Sequence, residues 1–216
     1  MLEYIKRAPK VSIENPPLLV LLHGYGSNEE DLFSFASELP EELLIISVRA
    51  PLSLGFGGFA WYSINFDASS QSKFSNLEEA KESIVKIENF IDTVVQEYQV
   101  NTQKLFVLGF SQGAILSYAL SLRNPTKINK VLALSGYINT QLIPQNLTAD
   151  QCKNLDFFIS HGTVDQVLPI DWIRNSLPIL DSLKIKYIFN EYLVGHGVNP
   201  QNFEDLKNWI VERLNA

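Results

Sequence analysis

Residues 105–122 read LFVLGFSQGAILSYALSL. The stretch passes from an apolar run, Leu105–Leu108, through Gly109-Phe110-Ser111-Gln112-Gly113 into a helical pattern, Gln112–Leu122, that stops before Pro125. A continuous apolar run suits a strand buried on both faces of a parallel sheet. The G-x-S-x-G that follows puts a serine on a tight strand-to-helix turn, with its hydroxyl raised above the sheet edge. Gly109 and Gly113 remove side chains where strand and helix crowd each other. The N–H groups of the new helix end point to where negative charge would develop. The bare pattern is weak. Its strand–turn–helix setting makes Ser111 a candidate nucleophile, against the plainer alternative of a Gly/Ser turn without chemistry.

Outward from this point the same alternation continues. Further β-rich runs are Leu18–Leu22, Leu43–Val48, Val131–Leu134, Phe157–Ile159 and Tyr187–Tyr192, and a strand around Tyr4–Ile13 would add an edge. Between them, Leu77, Ala80, Ile84, Ile87, Ile91, Val94 and Tyr98 recur at steps of three and four, one buried stripe of a helix over Leu77–Tyr98. Ser75 and Glu78 are spaced as a capping box at its start. Pro200–Leu214 forms another helix, with Asn199 as N-cap and Phe203, Leu206, Ile210 and Leu214 inward. A helix near Ile170–Leu183 would be kinked or restarted at Pro178. Strand–helix alternation implies a mostly parallel central sheet with helices on both faces, in one α/β domain over 1–216. Ligands bind such sheets at the carboxyl ends of the strands.

A serine hydroxyl needs a base, and the chain offers His23, His161 and His196. In the strand–elbow–helix fold the order is serine, acid, histidine. His196, in Gly195-His196-Gly197 after the run Tyr187–Tyr192, satisfies it; the alternative is a surface-loop histidine. His23 and His161 would break the order or approach Ser111 from another side. The acid must lie between Ser111 and His196, where Asp150, Asp156, Asp165, Asp171 and Asp181 stand. Asp165 follows the strand Phe157–Ile159 on a loop at its carboxyl end. Asp156 opens that strand at the wrong end, Asp171 and Asp181 belong to the next helix, and Asp150 lies in a polar excursion. Asp165 would hold the imidazole in the tautomer that leaves Nε2 free for the serine proton.

An oxyanion hole needs two N–H donors: the backbone of Gln112 and, from the glycine-rich Leu22-His23-Gly24-Tyr25-Gly26, the backbone of Tyr25. The competing reading of HGYGSNEED as a phosphate loop lacks G-x-G-x-x-G and the Walker lysine, and its acidic tail would repel phosphate. Leu54, Phe56, Phe59, Trp61, Tyr62, Ile64 and Phe66 put seven large apolar or aromatic residues into thirteen positions, interrupted by glycines at 55, 57 and 58. Such a loop either packs as core or lines an acyl groove beside Ser111, for which Phe59, Trp61 and Tyr62 are the candidates.

Seventeen basic and 24 acidic side chains leave a formal charge of -7 over 216 residues, which gives no electrostatic reason to bind nucleic acid or an anionic membrane. The longest apolar run, Leu18–Leu22, is far short of the roughly 20 residues of a spanning helix, so no stable membrane insertion is expected. The lone Cys152 forms no internal disulfide and has no neighbouring base, and the N-terminal residues lack an apolar signal core; a cytoplasmic location is expected. No cluster of His, Cys and carboxylates has metal-ligand spacing, and no metal is expected.

The ordered set LHGYG, GFSQG, HGTVDQVLP and GHGVNP resembles the phospholipase/carboxylesterase family of α/β-hydrolases, which includes acyl-protein thioesterases. The resemblance runs from about Leu18 to the end of the chain. It implies a compact α/β-hydrolase fold without a large cap domain, and hydrolysis of a small-molecule ester or thioester without a cofactor. Position by position, Ser111, Asp165 and His196 match the family's triad, Tyr25 and Gln112 its oxyanion donors, and Gly55–Tyr62 its loop beside the active site. The Phe-rich form of that loop and the Pro178 interruption depart from the protein-depalmitoylating members. The expectation is therefore a small-ester carboxylesterase, monomeric or weakly dimeric. The alternative is a thioesterase or lysophospholipase for longer acyl chains, and more remotely a noncatalytic binding protein on the same fold.

Overall fold

The computed structural model describes residues 1–67 and 72–215, with the backbone alone given for 65–67 and 72–74. Its strands are β1 (Tyr4–Arg7), β2 (Leu18–Leu22), β3 (Leu44–Val48), β4 (Leu52–Gly55), β5 (Gly58–Ala60), β6 (Ile64–Asp67), β7 (Ser72–Ser75), β8 (Leu105–Phe110), β9 (Lys130–Leu134), β10 (Asp156–Gly162) and β11 (Lys186–Tyr192). The α-helices are α1 (Glu30–Phe33), α2 (Leu77–Tyr98), α3 (Gln112–Arg123), α4 (Ala149–Cys152), α5 (Asp171–Arg174), α6 (Leu177–Ser182) and α7 (Pro200–Leu214).

Seven strands form the central sheet in the order β1-β3-β2-β8-β9-β10-β11. All neighbours run parallel except β1, which pairs antiparallel with β3. Side chains along each strand alternate between two cores. Leu18, Val20 and Leu22 join Val107, Val131 and Phe157 under α2, α3, α4, α5 and α6. Leu19, Leu21, Phe106, Leu108, Leu132 and Phe158 face the other way, against Leu32 of α1 and Leu206, Trp209 and Ile210 of α7. This is the α/β-hydrolase architecture, with no large cap over the sheet edge among the described residues. The small two-stranded sheets β4–β5 and β6–β7 are the additions.

Several expectations about individual elements change. The first strand ends at Arg7. Cap of α2 is Asn76 rather than Ser75: its side chain accepts the Glu79 N–H at 3.2 Å. The helix expected near 170–183 does restart at Pro178, as two short helices with that proline near the start of α6 where its missing N–H costs nothing. Asn199 caps α7 as expected, accepting the Asn202 N–H at 2.8 Å. Helix α3 is buried from Gln112 to Leu122 because it lies between the sheet and α2 and has no solvent face.

The strand order places the crevice. From β2 the chain goes to β3 on one side, then returns to β8 on the other. The loops after β2 and β8 therefore diverge at a switch point at the carboxyl ends of the strands. Those loops carry His23–Ser27 and Ser111.

Candidate active site

Ser111 joins β8 to α3 with φ 53° and ψ −113°. A non-glycine residue in this conformation costs about 1–3 kcal/mol and persists only where its surroundings hold it. Here the Ser111 N–H donates to the Leu134 carbonyl of β9 at 2.9 Å, and its carbonyl accepts the Ile115 N–H of α3 at 3.1 Å. The flanking glycines allow the tight crossing. A Cβ on Gly113 would stand 2.0 Å from the Leu22 carbonyl oxygen, and one on Gly109 would stand 2.3 Å from that of Gly113.

His196 lies on the loop between β11 and α7. Its Nε2 is 2.9 Å from Ser111 Oγ, and its Nδ1 is 2.6 Å from Asp165 Oδ2. An ionised carboxylate only accepts, so Nδ1 carries the proton and Nε2 is left to accept from the serine hydroxyl. The Phe110 ring lies against the imidazole at 4.9 Å between centroids. Asp165 follows β10, adjacent to β11, and the two loops are bonded together through Thr163 N–H to the Tyr192 carbonyl at 2.8 Å. The side chain of Asp165 is completely buried. Its second oxygen, Oδ1, accepts the Val167 and Leu168 N–H groups at 2.8 and 2.9 Å. Burial alone would raise the Asp165 carboxyl. The hydrogen bonds from His196, Leu168 and Val167 outweigh it and hold the group below its ordinary value.

The rival residues are otherwise engaged. His23 donates from Nδ1 to the Gly24 carbonyl at 2.7 Å and accepts the Ala50 N–H on Nε2 at 3.0 Å, so neither ring nitrogen is free. His161 directs Nε2 at the Leu168 carbonyl, 2.7 Å away. Asp156 binds Lys186 and Arg213, Asp171 binds Arg174, Asp181 accepts the Tyr187 hydroxyl and Asp150 binds Lys153.

Gln112 opens α3, so its backbone N–H is among those without a partner inside the helix. The loop carrying Tyr25 comes against the same place: a Cβ on Gly24 would lie 3.4 Å from Ser111 Cβ. That loop is fastened from outside, with Gly26 N–H donating to the Phe59 carbonyl at 2.8 Å and Phe59 N–H to the Ser27 carbonyl at 2.7 Å. Arg49 lies over the Phe59 ring at 4.8 Å and is held by both carboxylate oxygens of Glu29.

The three aromatic candidates for an acyl groove sit as follows. Trp61 is wholly buried and donates its indole N–H to the His23 carbonyl at 2.9 Å. Tyr62 is also buried, and Phe59 is half-buried under Arg49. Along the same stretch Leu54, Phe56 and Ile64 are exposed, Phe56 at the tip of the β4–β5 hairpin. The Phe66 side chain lies outside the described residues. Trp61 and Tyr62 are drawn inward by the Gln112 side chain, which accepts the Trp61 N–H and donates to the Tyr62 carbonyl, each at 2.8 Å. Sequence reasoning used only the backbone of Gln112 and missed this clasp. It likewise missed the ion pair Arg49–Glu29, which joins residues twenty positions apart. Among the described residues no group of three or more His, Cys, Asp or Glu could hold a metal ion, and no helix is long and apolar enough to cross a membrane.

The family described as phospholipase/carboxylesterase matches residues 10–213 of the chain. An acyl-protein thioesterase 1 of Yarrowia lipolytica is 27% identical over 211 residues, covering 91% of each chain. The protein of the same name from Saccharomyces cerevisiae is 31% identical over 166 residues, 73% of this chain and 70% of that one. Among solved structures, the Bacillus cereus carboxylesterase superposes with a TM-score of 0.82 at 20% identity, covering 99% of this chain and 95% of that one.

Proposed function

The chain belongs to the phospholipase/carboxylesterase family of hydrolases, and from that premise we propose that it cleaves acyl esters and thioesters through an acyl-enzyme on Ser111. The observation that carries this reading is the unbroken relay Ser111–His196–Asp165, with contacts of 2.9 and 2.6 Å, built on a strained elbow. His196 Nε2 takes the Ser111 proton as Oγ attacks the carbonyl carbon. The negative charge moves to the carbonyl oxygen, stabilised by the N–H groups of Gln112 and Tyr25. His196 then returns the proton to the departing alcohol or thiol as the acyl–oxygen or acyl–sulfur bond breaks. A water molecule repeats the sequence on the acyl-enzyme and releases the carboxylic acid. Asp165, fixed by three hydrogen bonds, holds the imidazole in its productive tautomer and stabilises the imidazolium.

The leaving group is the finer question. The sequence reading favoured small carboxylic esters. The relatives named acyl-protein thioesterases favour thioesters. A fluorophosphonate probe tests the nucleophile, since it requires an activated serine: labelling of the wild type and none of Ser111→Ala supports the reading, and an unlabelled wild type defeats it. Paired p-nitrophenyl esters and acyl thioesters of equal chain length, acetate through laurate, then rank the two leaving groups. A kcat/KM higher for thioesters at every length supports the thioesterase reading. A consistent preference for short oxygen esters supports the carboxylesterase reading.

A further inference from the structure

His161 is a buried imidazole with no part in the reaction above. It sits in β10, one residue from the end of the strand and four before Asp165, and is 1% exposed. Its Nε2 lies 2.7 Å from the Leu168 carbonyl oxygen and 3.4 Å from Asp165 Oδ2. A carbonyl oxygen cannot donate, so Nε2 bears the hydrogen. Nδ1 is buried without a hydrogen-bond partner among the described atoms. Burial pushes the His161 pKa down, so the ring stays neutral. A second bond completes a short circuit: the N–H of the same Leu168 donates to Asp165 Oδ1 at 2.9 Å.

We propose that His161 is a positioning residue for Asp165, its Nε2–H anchoring the Leu168 peptide whose own N–H grips the carboxylate. Segment 163–168 is a loop, and loops do not by themselves fix a carboxylate to a fraction of an ångström. With Leu168 held at its oxygen by β10, the turn from Gly162 to Leu168 becomes a closed ring of bonds. Within that ring Asp165 Oδ1 has both its donors set, and Oδ2 stays directed at His196 Nδ1. The nearby Oδ2 also feels the polar Nε2–H of His161 without losing its bond to His196. The inference rests on Asp165 being the acid of the triad. It explains why a histidine is useful where an apolar side chain would fill the space without an orphaned nitrogen: the ring reaches across the loop with one donor. Glutamine, whose amide nitrogen falls near the position of an imidazole Nε2, can imitate that donor, and leucine cannot.

The test compares His161→Leu and His161→Gln with the wild type, using a p-nitrophenyl ester and an acyl thioester. A misplaced acid acts on chemistry more than on substrate capture, so His161→Leu is expected to lose about 10- to 100-fold in kcat with KM nearly unchanged. His161→Gln is expected to recover most of that loss. Nitrogen-15 spectra of the histidine-labelled wild type supply a measurement that needs no variant: His161 should be neutral and protonated on Nε2. A wild type labelled by fluorophosphonate whose His161→Leu form keeps its kcat overturns the proposal while leaving the triad intact. So does equal loss in both variants, or an Nδ1–H tautomer at His161. If His161→Leu does not fold, the tautomer and the kinetics of His161→Gln decide, and a Gln variant as impaired as a triad deletion counts against the proposal. Failure of the wild type to label removes the triad reading itself, a different result from any of these.

Discussion

The Gln112 side chain clasps Trp61 across 51 residues of sequence, accepting its peptide N–H at 2.8 Å, and donates to the next carbonyl, that of Tyr62, at the same distance. The residue whose backbone is proposed to stabilise the oxyanion is therefore tied by its side chain to the segment that packs beside the elbow. Gln112→Ala leaves two buried backbone groups without partners, each worth roughly 1–3 kcal/mol. We expect a stability loss of about 2–4 kcal/mol in urea unfolding, with turnover reduced. Gln112→Glu keeps an acceptor for Trp61 but sets a carboxylate oxygen against the Tyr62 carbonyl, and should not restore stability. A Gln112→Ala midpoint equal to wild type would show that the clasp bears no weight.

Ser111 is held at φ 53°, so the elbow stores strain that a glycine does not feel. Ser111→Ala and Ser111→Gly should both lose turnover, by as much as about 10⁶-fold in kcat. They should differ in stability, with the glycine variant the more stable by about 1 kcal/mol. Thermal melting of the two purified variants reads the difference. Activity above a few per cent of wild type in either would rule out Ser111 as nucleophile.

The acid can be separated from its rivals in the same way. Asp165→Asn is expected to lower kcat by about 10³- to 10⁴-fold, because the amide favours the wrong imidazole tautomer. Asp156→Asn breaks contacts to Lys186 and Arg213 at the opposite end of β10, and Asp171→Asn a surface pair with Arg174. Both should keep most of the turnover. An Asp156 or Asp171 effect as large as that of Asp165 would refute the assignment.

His23 and His161 give the fold a pH dependence distinct from that of catalysis. Burial lowers both pKa values. Between the folded pKa and the unfolded value of about 6.5, the unfolded chain binds protons that the folded chain refuses. Stability is thus complete above about pH 6.5 and declines as the pH falls below it, by up to about 1.4 kcal/mol per pH unit for each histidine. Urea unfolding of Ser111→Ala protein at pH 7.5, 6.5, 5.5 and 5.0 measures this without interference from activity. A midpoint that stays level down to pH 5.0 would contradict the assignment of neutral, buried rings.

What the sequence determined was local and periodic. Continuous apolar runs marked β2, β3, β8, β9 and β10 as strands buried on both faces. Steps of three and four marked the inward stripe of α2, and the glycine–serine turn marked the elbow. The order of serine, acid and histidine along the chain pointed to Ser111, Asp165 and His196 because each follows a strand at its carboxyl end. What needed the tertiary structure was every partnership between elements distant in sequence. Nothing near Gln112 announces Trp61, nothing near Arg49 announces Glu29 as its clamp, and nothing near His161 shows that its ring reaches Leu168 while His196 reaches Ser111. The aromatic stretch from Leu54 onward shows the same division. Its composition demanded burial, but which rings go inward depended on the Gln112 clasp and the Arg49 stack. A side-chain period encodes the face an element buries. Which element lies opposite that face follows from strand order and loop closure, and these are properties of the whole chain.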